Sequence, residues 1–216
     1  MSTPTGTGIE PNTPAQASLY QQLRGHLAAL KLHTAAEHLP NVLDRAAAEK
    51  LSLTAALERL LALEVAATEA RRLAGRLRFA SLPTPATLEE FDYDAQPAAD
   101  RALIQELATC RYLESATNVL LIGPPGTGKT HLAVGLARKA AEAGYRTYFT
   151  SAAGLAARCH RAAIEGRWAY TMRFVAGPTL LVIDELGCLP LPAEAASACS
   201  VVAQRYTKTE AARSGR

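Results

Sequence analysis

The chain has 216 residues, 49% of them hydrophobic and only 6% aromatic, with a formal net charge of +3. That length holds one full domain and a smaller appended one. The mild charge excludes a global basic field, so any nucleic-acid contact must come from local clusters. The four cysteines, Cys110, Cys159, Cys188 and Cys199, show no CxxC pair, and the five histidines form no HExxH pattern. Neither a zinc site nor a disulfide framework is therefore expected. The start of the chain lacks a basic and apolar leader, and no apolar run approaches the ~20 residues of a membrane span. The expectation is a cytoplasmic protein with no membrane contact.

Residues 1–17 are rich in Pro, Thr and Gly and read as a disordered tail. Ser18 is placed to cap a helix carrying Leu19, Leu23, Leu27 and Leu30. Thr34 and Glu37 have capping-box spacing and open a second helix, which Pro40 kinks or restarts. Ser52 caps a third, with Leu57, Leu60, Leu61 and Val65 on one face. That helix ends in an arginine-rich arc of Arg71, Arg72, Arg76 and Arg78. The arc reads either as a solvated face or as a DNA contact. Residues 18–80 thus form a small helical N-terminal unit for a partner or DNA. The Pro-rich, acidic stretch 81–99 is a linker or docking strap.

From residue 100 the pattern changes. Asp100 caps a helix with Leu103, Ile104 and Leu107 inward. "NVLLI" (118–122) reads as a strand buried on both faces, followed by a helix to about Glu142 with Gly144 as its stop. "RTYFT" (146–150) is a second strand, residues 152–176 are helical and basic, and "TLLVI" (179–183) is a third strand. A loop "GCLPLP" and a helix from Ala193 to Tyr206 follow. Strands alternating with helices imply a parallel α/β sheet with right-handed crossovers.

Two motifs carry chemistry. Gly123–Thr130 reads GPPGTGKT and fits G-x-x-x-x-G-K-[ST] between an apolar strand and a helix. Gly123, Gly126 and Gly128 let the backbone turn its N–H groups onto phosphate oxygens, with Pro124, Pro125 and Thr127 completing the loop. The helix that begins here adds its positive end. Lys129 places a charge on the β- and γ-phosphates of ATP, and Thr130 offers a hydroxyl to Mg²⁺. His131 follows, as a helix-surface residue or a neighbour of the nucleotide. In "LLVIDE", Asp184 emerges at the C-terminal end of a strand, where ligands sit in open α/β sheets. It can hold Mg²⁺ through water, and Glu185 is placed to polarise the attacking water. A second basic patch holds Arg158, Arg161, Arg167 and Arg173 with Trp168 and Tyr170 interleaved. It reads either as contacts to a DNA backbone with stacking or as a helix surface with Trp168 in the core.

Together these residues resemble the IstB-type transposition helper ATPases, relatives of the DnaC helicase loaders in the AAA+ superfamily. The resemblance covers about residues 20–206 and rests on "LEEFDYDAQP", "NVLLIGPPGTGKTHLA", "EAGYRTYFT" and "LLVIDELGCLPLP". It implies a P-loop NTPase of AAA+ type, a parallel sheet flanked by helices, with a partial ATP-binding core over 100–206. It implies further that the protein binds ATP and Mg²⁺, assembles on duplex DNA as a homo-oligomer when full-length, and passes a deformed target to the transposase of the same element. Arg158–Arg173 matches the region that loader-type relatives set against DNA.

The family pattern runs on beyond Tyr206 to a further strand and a helix of arginines acting across subunits. Here residues 207–216 read "TKTEAARSGR". The expectation is a truncated or frame-shifted copy, its sheet incomplete at the C-terminal end and short of a middle strand. Hydrolysis, which needs an arginine in trans, is left open. A non-hydrolysing binding module and a helicase loader are the alternative readings.

Overall fold

The computed structural model describes residues 14–186. By the contacts along the backbone the chain divides into two compact units, Met1–Arg72 and Leu73–Arg216. The boundary falls inside a helix rather than near residue 80.

The first unit contains α1 (Pro14–Ala29), α2 (His33–Glu49) and the larger part of α3 (Leu53–Ala80). Leu27, Ala35, Ala36, Leu39, Val42 and Leu60 form its core, with Tyr20 and Leu32 packed against them. Helix α1 starts at Pro14, not after Ser18. Proline suits a first helical position, because its fixed φ is pre-set and its missing N–H would be unsatisfied there anyway.

Three further expectations for this unit need correction. Helix α2 has Leu32 as N-cap with no side-chain cap bond, so Thr34 and Glu37 form no capping box. The Ala35 N–H instead donates to Glu64 Oε2 of α3 at 2.9 Å. Pro40 neither restarts nor ends α2, which runs through it with Leu39 and Val42 buried on either side. That burial offsets the hydrogen bond a mid-helix proline removes. On α3 the buried face is Ala56, Leu60 and Glu64, whereas Leu57, Leu61 and Val65 are about half exposed or more. A glutamate holds the inward position one turn after Leu60, because it serves a backbone donor there. The cap from Ser52 is present, its Oγ accepting from the Ala55 N–H at 3.2 Å.

The second unit contains α4 (Arg101–Ala108), α5 (Arg111–Glu114), α6 (Lys129–Glu142), β1 (Thr147–Ser151), α7 (Ala152–Ile164), α8 (Trp168–Ala176) and β2 (Leu180–Asp184). Strands β1 and β2 pair in parallel, from Thr147 opposite Leu180 to Ser151 opposite Asp184. The crossover between them is α7 and α8, two helices separated at Gly166, whose φ of 66° breaks the run expected over 152–176. Helix α6 packs on both strands. Asp100 caps α4, its Oδ1 accepting from the N–H groups of Ala102 and Leu103. Leu155, Cys159, Met172 and Val175 form one core cluster; Leu88, Phe91, Ile104, Leu132 and Leu136 form another.

The strand expected at 118–122 is not formed. Among the described residues the sheet has two strands, and no ladder joins 118–122 to either. Leu121 is packed against the Leu88 cluster, while Leu120 is 68% and Ile122 84% exposed. An apolar run becomes a strand only when a neighbour accepts its N–H and C=O groups. Among the described residues no strand accepts those groups from 118–122. The tail 1–13, the loop "GCLPLP", the helix at 193–206, the final 207–216 and any further strand lie outside the described residues, as do Cys188 and Cys199.

Candidate functional site

The glycine-rich loop enters α6 through Gly128, which is its N-cap. Gly126 and Gly128 have φ of 80° and 76°, left-handed values at which a side chain would be strained. A glycine pattern therefore appears where the chain must bend twice in quick succession. Within the loop the Thr127 hydroxyl donates to Pro124 O at 2.9 Å. Lys129 Nζ donates to the same carbonyl at 2.6 Å and reaches Thr127 Oγ1 at 3.4 Å. The ammonium is thus folded over its own loop, beside the helix N-terminus.

The second half of the site arrives from β2. Its last residue, Asp184, accepts a hydrogen bond at Oδ2 from Thr130 Oγ1 at 2.8 Å, across 54 positions of sequence. Asp184 Oδ1 accepts from the Glu185 N–H at 3.0 Å. Glu185 has a φ of 57°, a left-handed conformation that costs a non-glycine residue about 1–2 kcal/mol. A hydroxyl and a carboxylate in contact at a strand end, beside a glycine-rich turn, make a donor set that fits Mg²⁺. That ion takes one or two protein oxygens and completes its shell with water and phosphate. No cluster of three His, Cys, Asp or Glu among the described residues could hold a metal unaided.

A strap over residues 86–93 borders this site, within the stretch 81–99 that the sequence marks as a linker or docking strap. His131 Nε2 lies 2.7 Å from Thr87 O, and its ring stands edge-on to Phe91 at 5.4 Å. Arg138 Nε donates to Ala86 O at 3.3 Å, and Lys139 pairs with Glu89 at 2.6 Å. The hydrogen bond from Lys139 holds the Glu89 carboxyl below its ordinary value, and Glu89 raises Lys139 in turn. A cavity of about 350 Å³ lies between the strap, α4 and Lys139; no residue of 123–131 lines it. The signal in sequence was "LEEF", whose Leu88 and Phe91 are spaced to reach one face of a neighbouring helix.

The arginines fare differently from one another. Arg71 pairs with Glu64 at 2.8 Å and donates to Thr34 and Thr68; Arg72 pairs with Glu69 at 2.7 Å. Arg76 Nε donates to Ala141 O at 2.7 Å, and Arg78 is exposed. Arg71 and Arg72 fall in the first unit, Arg76 and Arg78 in the second. Arg158 donates to the Tyr148 hydroxyl at 3.0 Å and lies over the Phe174 ring. A groove of about 330 Å³ between α7 and α8 is lined by Arg158, Arg161, Arg167 and Tyr170. Tyr170 is 72% exposed, while Trp168 packs against the Leu155 cluster and Arg173 is exposed. Arg167 keeps a long 3.7 Å contact with Glu165. Among the described residues no helix is long and apolar enough to cross a membrane.

A glycine-rich loop opening a helix, with a strand-end aspartate on its threonine, defines a P-loop NTPase of the α/β class. Comparison with known proteins narrows this. The family model described as "IstB-like ATP binding protein" matches residues 25–212. An ATP-binding protein of insertion sequence IS5376 from Geobacillus stearothermophilus is 37% identical over 178 residues, 82% of this chain and 71% of the relative. One of IS21 from Pseudomonas aeruginosa is 37% identical over 171 residues, 79% of this chain and 64% of the relative. One of IS232 from Bacillus thuringiensis subsp. berliner is 33% identical over 190 residues, 88% and 76% of the two chains. The chain belongs to the IstB-like family of ATP-binding proteins of insertion sequences.

Proposed function

We propose that this chain binds Mg²⁺–ATP at Gly123–Thr130 and serves an insertion sequence by presenting target DNA to its transposase. The observation that carries the nucleotide half is the 2.8 Å contact between Thr130 and Asp184. A threonine hydroxyl and a strand-end carboxylate brought together beside a glycine-rich loop supply the oxygens that Mg²⁺ takes from a protein when phosphates complete its shell. On this reading the loop amides and the α6 N-terminus take the phosphates. Lys129 leaves Pro124 O for the β- and γ-oxygens. Thr130 and Asp184 would hold Mg²⁺, the hydroxyl directly and the carboxylate through water. The metal supplies charge neutralisation between the phosphates. Glu185, next to the metal carboxylate, would orient water for any hydrolysis.

The DNA half rests on the groove between α7 and α8. Arg161 and Arg167 there meet phosphates, and the exposed Tyr170 ring offers a stacking face. The transposase partner and self-assembly on DNA are drawn from the setting of the relatives, which belong to insertion sequences. ATP and DNA together would place the protein in the bacterial cytoplasm. The test is titration of the purified chain with a fluorescent ATP analogue and Mg²⁺. Saturable binding lost in Lys129→Ala is the expected result; binding that Lys129→Ala leaves unchanged would remove the P-loop assignment.

A further inference from the structure

The strap contacts α6 at intervals that keep to one face of the helix. Leu88 lies over Gly135, where an added Cβ would stand 2.5 Å from its Cδ2. Phe91 lies over Gly128, where an added Cβ would stand 2.6 Å from its Cε2. Between them Thr87 O meets His131, and beyond them Ala86 O and Glu89 meet Arg138 and Lys139. The two glycines of the loop with positive φ are not alike. A Cβ at Gly126 would meet nothing within 4 Å, whereas the space at Gly128 is filled by the Phe91 ring. That ring is 7% exposed and wedged edge-on between Tyr93, at 4.9 Å, and His131.

Gly128 is the residue whose backbone directs the start of α6. It precedes Lys129 and Thr130, so its φ sets where the loop amides, the ammonium and the hydroxyl stand. Packing a rigid buried ring against it limits that φ without occupying the phosphate side. We infer that Phe91 is a positioning residue for the nucleotide. It holds the Gly128 turn from behind, and the strap is thereby part of the nucleotide site. The inference rests on the reading of Gly123–Thr130 as an ATP site. It adds a residue that lies outside both Gly123–Thr130 and "LLVIDE", the two motifs that carry the nucleotide chemistry.

Leu88 supplies the matched control, since it packs on the same helix by the same kind of contact, seven residues further from the phosphates. The experiment measures Kd for the fluorescent ATP analogue with Mg²⁺, and the melting temperature, on the full chain carrying Phe91→Ala, Phe91→Leu or Leu88→Ala. Loss of one hydrogen bond from the loop to a charged phosphate is worth about tenfold in affinity or more, so Phe91→Ala is expected to weaken ATP about tenfold. Phe91→Leu, which refills part of the space, recovers most of that loss and guards against a Phe91→Ala chain that does not fold. Leu88→Ala lowers the melting temperature as much but changes Kd by no more than about twofold, as distant sites do. Equal loss of affinity from Leu88→Ala and the Phe91 variants would reduce the ring to a packing role and overturn the inference. So would wild-type affinity in the Phe91 variants. If the wild-type chain shows no Lys129-dependent binding, the ATP reading itself fails and takes this inference with it. Intact wild-type binding with unaffected Phe91 variants refutes the inference alone.

Discussion

Comparing Gly128→Ala with Gly126→Ala separates backbone strain from packing at the loop. Both residues sit near φ of 80°, so each alanine incurs the left-handed penalty of about 1–2 kcal/mol. Gly126→Ala meets open space, and that penalty is its whole cost. Gly128→Ala also drives a Cβ to 2.6 Å from a buried ring held between Tyr93 and His131. Overpacking of that kind adds about 1–3 kcal/mol. Gly128→Ala should therefore be destabilised by about 2–5 kcal/mol, and Gly126→Ala by about 1–2. The assay is urea unfolding of the nucleotide-free chain, followed by tryptophan fluorescence. Trp168 is the only tryptophan and lies in the same unit as the loop. Adding Phe91→Ala to each variant completes the cycle. It should recover part of the Gly128→Ala loss and none of the Gly126→Ala loss. Equal destabilisation of the two single variants would refute the argument that Phe91 closes the space behind Gly128.

Asp184→Asn should weaken nucleotide binding about tenfold or more in Mg²⁺, the scale of a lost charge-assisted contact, and leave binding in EDTA unchanged. Titration in both media checks this, and an equal loss in each would remove Asp184 from the metal. Hydrogen bonding by the Ala35 N–H, with Arg71 and Thr68 adding to it, holds the Glu64 carboxyl below its ordinary value near 4.5. A depressed carboxyl contributes stability that is fully present above that ordinary value and fades as pH falls through the folded one. The stability gap between wild type and Glu64→Gln should thus be constant at neutral pH and shrink below about pH 4.5, read from melting curves across the acid range. Replacing Arg161 and Arg167 with alanine should lower the slope of log affinity for DNA against log salt by about 1–2, at roughly 0.9 per phosphate contact. An unchanged slope would make those arginines a solvated surface.

Features fixed by local chemistry were legible in the sequence. A loop that turns twice with positive φ demands glycines, so the positions of Gly126 and Gly128 announced its geometry. Ser52 and Asp100 cap the helices they precede, because a side-chain oxygen needs to reach only two or three residues ahead. Both strands begin within one residue of where β-branched and apolar runs placed them, and Asp184 closes β2. What was not legible depends on partners distant along the chain. Residues 118–122 have the composition of a strand but no ladder among the described residues. The α2 cap comes from Glu64, 29 positions beyond the donor it serves, which also displaced the apparent apolar face of α3. Arg71 and Arg72 read as free charge, although Glu64 and Glu69 stand within two turns before them. No local rule says which aromatic will lie behind a given glycine.

The way the loop is held follows from these same long-range contacts. The segment that enters it, 118–122, has no hydrogen-bonded neighbour strand among the described residues and exposes Leu120 and Ile122. On that side the loop has no strand ladder among the described residues to hold it, only the packing of Leu121 on the Leu88 cluster. Its described restraints include the Lys129 and Thr127 bonds to Pro124 O, the Thr130 bond to Asp184, and the Phe91 ring behind Gly128. If ATP binds here as proposed, Lys129 would exchange Pro124 O for phosphate oxygens and the contact between Thr130 and Asp184 would open to admit a metal. The Phe91 ring behind Gly128 would need no such exchange, so on that reading the strap would hold the loop with or without nucleotide.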